Sequence, residues 1–202
     1  VLNEYMSNEA IPMEPKADYL KAVIQRVDPK FIRSFRSNMD DAVMKTVEAH
    51  PKDSIALNTA GVYFYSTDRR DEAETFFKEN YETYPKSFAA NADYVEYLMY
   101  TGRWEDLSRV GRQAYEHLPQ EIVFLEMASM GDYNLGDYEK VLDVCNEVLT
   151  VAAADSAKVL SAWSTMGDVY HQLGESKKSY KAYEKALKIN PGYVYVLNNY
   201  AY

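Results

Sequence analysis

Three prolines, Pro51, Pro85 and Pro119, stand 34 residues apart, and the next, Pro191, follows after one further interval of 34 and one of 38. The glycines keep the same time: Gly102 to Gly136 is 34 residues and Gly136 to Gly174 is 38. Two unrelated residue types share one period, so a four-residue insertion falls in a single unit, near residues 152–159. A repeat of this length restricts the chain to a stack of like supersecondary units, each of which buries its apolar face mainly against its neighbours.

The punctuation inside each unit says what the unit is. A glycine at the middle, as in "LGDYEK" and "LGESKK", takes the positive φ that ends one helix and leads into the next. A proline at the end prevents the second helix from running on. Each unit is therefore expected to be two antiparallel helices. Asp68 holds the glycine place in the first full unit, which is tolerable because Asp visits the left-handed region more readily than most residues.

Composition agrees with an all-α chain. Only eight Gly and seven Pro occur among 202 residues, few for a sandwich of tight turns, while 47% of the chain is hydrophobic and can furnish a core. The formal net charge of −9 argues against a general nucleic-acid binder, which needs a basic face to neutralise phosphates. No apolar run approaches the roughly 18 residues of a membrane span. One cysteine, Cys145, excludes an internal disulfide.

"WSTMGDVY" carries Trp163, Met166-Gly167 and Tyr170, followed by Ser179, Tyr183 and Pro191. This resembles the tetratricopeptide repeat pattern W-x2-L-G-x2-Y with its later small residue, aromatic and Pro. "LNTAGVYF" is a weaker version, with Leu57, Ala60-Gly61 and Phe64, then Ala73, Phe77 and Pro85. The two units between depart from it: Asn91 and Leu125 replace the Trp, Val95 and Ser129 the Gly, and Gly111 and Cys145 the second aromatic. The resemblance implies a right-handed superhelical solenoid with repeats at 54–87, 88–121, 122–159 and 160–193. Gly61 and Gly167 are then close-packing positions between the helices of a unit. "LNNYAY" is also similar to openings of repeats in bacterial proteins.

The two ends read differently. Residues 194–202 look like the first helix of a fifth repeat, with Val194, Leu197, Tyr200 and Ala201 on its apolar face. Two readings follow: a piece of a longer array, or a terminus that self-associates with another copy through this helix. At the other end, residues 1–15, with two prolines in "NEAIPMEPK", are expected to be a linker or the end of an upstream helix. Residues 16–53 are expected to be a degenerate capping unit. Asp28-Pro29 starts its long helix, which runs to about His50 with Phe31, Phe35, Ala42, Val43 and Val47 as its core stripe.

No convergent acid, base and nucleophile can be named, and no phosphate-binding glycine motif occurs. His50 and His117 lie at helix ends, where imidazole suits the carbonyl end of the dipole. His171 follows Asp168 by three residues, short of a metal ligand set. Cys145 repeats the core position of Phe77 and Tyr183. No enzyme, metal or cofactor is expected.

The resemblance implies a concave groove lined by the first helix of each repeat. Carried over place by place, its residues include Asn58, Tyr65, Glu96, Met99, Glu126, Met130, Tyr133, Asp168 and His171. These places hold no Lys or Arg, so the carboxylate grip of chaperone-binding members is not expected. A protein or peptide partner with Lys or Arg flanking apolar anchors suits the acidic, aromatic, Met-bearing strip. Lys177, Lys178, Lys181, Lys185 and Lys188 are expected on the outer face, solvated or against an acidic partner. The expected function is a non-catalytic interaction scaffold; the alternative is a regulatory or assembly module touching another domain of a larger polypeptide. Compartment stays open between bacterial cytoplasm and periplasm or envelope.

Overall fold

Every regular element among the described residues is an α-helix. The computed structural model describes residues 1–26 and 28–200, with the side chains at 29 and 31–33 left aside. The helices are α1 (Leu2–Met6), α2 (Met13–Ile24), α3 (Pro29–Ala49), α4 (Ser54–Ser66), α5 (Arg70–Thr83) and α6 (Phe88–Tyr100). Then come α7 (Trp104–His117), α8 (Val123–Leu135), α9 (Tyr138–Val151), α10 (Ser156–Gln172), α11 (Ser176–Ile189) and α12 (Val194–Tyr200). The chain forms two compact units, Val1–Tyr97 and Leu98–Tyr202, with α6 running across their boundary. The places assigned by sequence to Phe31, Ala201 and Tyr202 lie outside what is described.

Local chemistry explains the helix limits. Asp53 caps α4 by accepting from the amides of Ile55 and Ala56 at 2.9 and 3.0 Å, meeting two of the donors a helix start leaves unpaired. Between the helices of a pair, Gly136 turns at φ +80° and Asp68 at φ +59°, the left-handed conformation that ends α8 and α4.

In the first unit, Leu57, Ala60, Tyr63 and Phe64 of α4 are buried with Ala73, Phe77 and Tyr81 of α5. Asp40 of α3 joins three elements, taking Arg69 Nη1 and Nη2 at 2.9 and 2.6 Å and Tyr63 OH at 2.6 Å. The same guanidinium lies 4.4 Å from the Phe64 ring centroid. Lys16 of α2 is fully buried, donating to the carbonyls of Met6 and Asn8 and facing His50 Nε2 at 2.8 Å.

Two expectations for this end are corrected. Residues 13–15 belong to α2, because a proline in the first helical turn forfeits only an amide that has no intrahelical partner. In α3 the buried stripe among the described side chains is Met39, Ala42, Val43 and Thr46; Phe35 is 53% exposed, in a described stretch from Ser34 to Asn38 that is exposed throughout.

In the second unit, Val141, Val144, Cys145 and Val148 of α9 pack with Ala162, Met166 and Val169 of α10 and Ala182 of α11. Gly167 admits the Tyr183 ring, and the Ser179 hydroxyl donates to the Gly167 carbonyl at 2.8 Å. On α12, Val196 is the fully buried residue, packed with Tyr183 and Ala186. Leu197, expected to cover α11, is 43% exposed, because helix α12 docks through the face that holds Val196.

The four-residue insertion is a helical turn. Helix α10 has 17 residues against 13 in each of α4, α6 and α8, and its extra residues are its first four, 156–159. The loop before it, residues 152–155, is as long as loop 84–87. Asp155 caps the added turn by accepting from the amides of Ala157 and Lys158.

Candidate functional site

A groove pocket of about 550 Å³ opens in the second unit, between α8, α9, α10 and α12. Its floor is apolar, made by Met127, Val144, Cys145, Val148 and Ala162. Of the groove residues read from sequence, Glu126, Met130, Tyr133 and Asp168 line it together. They meet because first helices of neighbouring pairs turn the same face inward, at the one-in-three-or-four spacing of a helix.

The two carboxylates of this pocket are held by partners within the chain. Glu126 Oε2 accepts from Lys158 Nζ at 2.6 Å, with both side chains about 30% exposed. Asp168 accepts from Tyr183 OH and Tyr195 OH, each at 2.6 Å, and from Asn199 Nδ2 at 3.0 Å. Burial, then the Asp168 hydrogen bond and charge, push the Tyr195 hydroxyl up to about 12. Tyr133 is raised by burial and by Asp168, and its ring meets Tyr138 edge-on at 5.6 Å. Burial, with the Glu126 charge behind it, pushes the Cys145 thiol up to about 12, which leaves it protonated and unreactive at neutral pH.

Other expected site residues lie apart from the pocket. In the first unit, Asn58 Nδ2 donates to Asp93 Oδ2 at 2.6 Å, and the exposed Tyr65 packs edge-on against Tyr97 at 6.0 Å. Glu96 is exposed one helical turn beyond Asp93, whose carboxyl burial raises above its usual range. Met99 is half-buried at the start of the second unit, and His171 is exposed, one turn beyond Asp168. No group of three or more His, Cys, Asp or Glu among the described residues could hold a metal. No described helix is long and apolar enough to cross a membrane. On α11 the lysines are exposed, with Lys185 Nζ 3.6 Å from the Trp163 ring centroid.

Sequence reasoning missed Lys158 and Asp93. Lys158 had a signal, the 38-residue interval, but an insertion of four reads equally as a loop or as a turn of helix. Asp93 lies one place outside the groove register and had none.

Helix pairs of this kind, stacked through their faces, define a helical repeat protein. The final complete pair carries the family's mark, since residues 161–193 match the tetratricopeptide repeat model. The chain therefore carries a tetratricopeptide repeat at residues 161–193, and its helix pairs share the fold of solved tetratricopeptide repeat proteins. It is 27% identical over 84 residues to heat shock protein STI1 of Saccharomyces cerevisiae, a match covering 37% of this chain and only 14% of that protein. Among solved structures it is similar to YrrB, described as a TPR protein with an unusual peptide-binding site. That similarity has a TM-score of 0.71 at 16% identity, over 98% of this chain and 95% of YrrB. It is also similar to MamA of Desulfovibrio magneticus RS-1, with a TM-score of 0.63 at 13% identity, over 90% and 99% of the two chains.

Proposed function

We propose that this chain is a non-catalytic scaffold that holds a peptide segment of a partner protein, with an apolar side chain of that peptide seated in the second unit's pocket. The tetratricopeptide fold supports protein binding in general. The observation that carries the finer reading is the pocket itself: an apolar floor edged by exposed Met130 and half-buried Tyr133. Met adapts to varied partners, and aromatic residues provide contact area at low entropic cost. Buried anchors supply most of the energy of such interfaces. The peptide binding described for YrrB, whose fold this chain shares, points the same way.

The test is capture from a peptide library built around single Leu, Met or Phe anchors. Met130→Glu places a charge on the pocket edge and should reduce capture at least tenfold while leaving the melting temperature within a degree or two, since Met130 is 45% exposed. Equal capture by parent and variant would exclude this pocket as the binding place.

A further inference from the structure

We infer that Lys158 is the specificity-determining residue of the second unit's pocket: by occupying Glu126, it turns that pocket away from Lys and Arg and toward an apolar anchor flanked by an uncharged or acidic residue. This rests on the peptide-binding reading of the pocket and names the partner it selects.

Glu126 and Asp168 are carboxylates that line the pocket, and a basic ligand side chain would seek them. Glu126 Oε2 is already bound to Lys158 at 2.6 Å in a partly buried pair, where attraction is stronger than between fully exposed charges. The other carboxylate, Asp168, receives three hydrogen bonds from Tyr183, Tyr195 and Asn199. An incoming cation would meet a Glu126 whose charge Lys158 already compensates and an Asp168 that already accepts three hydrogen bonds, so both attract it less. An ammonium carries three donors, so Lys158 keeps capacity to bind a ligand oxygen beside Glu126. An acidic or amide flank uses that capacity, and a basic flank is repelled by it.

The origin of this lysine supports a role in the groove. It stands in the turn 156–159 that lengthens α10 beyond α4, α6 and α8. One extra turn adds about 5.4 Å of helix, and Asp155 caps it at its start. The four-residue insertion therefore places a cation over a carboxylate of the preceding first helix, α8.

The experiment uses fluorescent octapeptides with one central Leu or Phe and flanks of Lys, Gln or Glu, measured at two salt concentrations against the parent, Lys158→Gln, Glu126→Gln and the double variant. Lys158→Gln should shift the Lys-to-Glu preference toward Lys by about tenfold and steepen the loss of Lys-flanked binding with salt. Glu126→Gln should shift it toward Glu, and the double variant should return toward the parent. Thermal melts check that each variant is folded; Lys158→Met replaces Lys158→Gln if the latter is not. Binding by all four with the same charge preference would overturn the role of Lys158 while leaving the pocket as a peptide site. Binding by none would overturn both.

Discussion

A methyl group added at Gly167 would lie 2.2 Å from the Tyr183 ring, and one added at Gly61 would lie 2.7 Å from Phe77. Each glycine precedes its aromatic by 16 residues, so the small and large residues of these two repeats are halves of one contact. Tyr183 has little room to yield, being 2% exposed with its hydroxyl on Asp168. Gly167→Ala should therefore cost about 1–3 kcal/mol in a urea melt, the usual range for overpacking. A second residue-scale prediction concerns acid. Burial alone would raise Asp40, but hydrogen bonds from Arg69 and Tyr63 and the charges of Arg69 and Arg36 outweigh it and hold the carboxyl below its usual range. The folded value lies below the unfolded one, so Asp40 contributes stability above the unfolded value of about 4. That contribution is lost as pH falls through the folded value. The urea midpoint of the parent should drop more steeply between pH 4 and pH 2 than that of Asp40→Asn. The close-packing role of these glycines was legible through the resemblance to the repeat pattern; the Asp40 cluster was not, because its partners are 23 and 29 residues away and belong to no motif.

Helix α12 shows what periodicity can and cannot assign within an element. Its position after Pro191-Gly192 was legible, and so was its apolar character. Which side docks was not: repeat alignment put Leu197 at the place of Trp163, whereas Val196 is the buried residue. Tyr200 also packs, with its ring 5.2 Å from Tyr180. Val196→Ala should lower stability by about 1–2 kcal/mol, as removal of buried apolar surface implies. Leu197→Ala should change it by no more than about 0.5 kcal/mol, as for exposed positions. Chemical denaturation of the two variants checks the order, and the reverse order would mean that α12 docks through the other face. Helix α10 gives the complementary case: the longer interval marks an insertion of four residues, and only the structure makes it a helical turn.

For the whole molecule, Glu96, Glu126 and Asp168 at the groove places read as an acidic strip, yet charge counted along a sequence is not charge presented to a ligand. Lys158 stands outside the register of groove positions and still neutralises one of them. Each compact unit has its own core, with Leu57, Tyr63 and Phe77 in the first and Val141, Val144 and Val169 in the second. The chain by itself determined the helical class, the period and the turn positions. Those features are local, written in φ preferences and in helix spacing, so neighbours in sequence suffice to read them. Only the tertiary structure decided which face of α12 is buried, that Phe35 of α3 is exposed, and which carboxylates of the pocket are already bound. Those outcomes depend on side chains of different helices, such as Val196 on Tyr183 and Lys158 on Glu126, where a shift of one helical position replaces a buried valine with an exposed leucine.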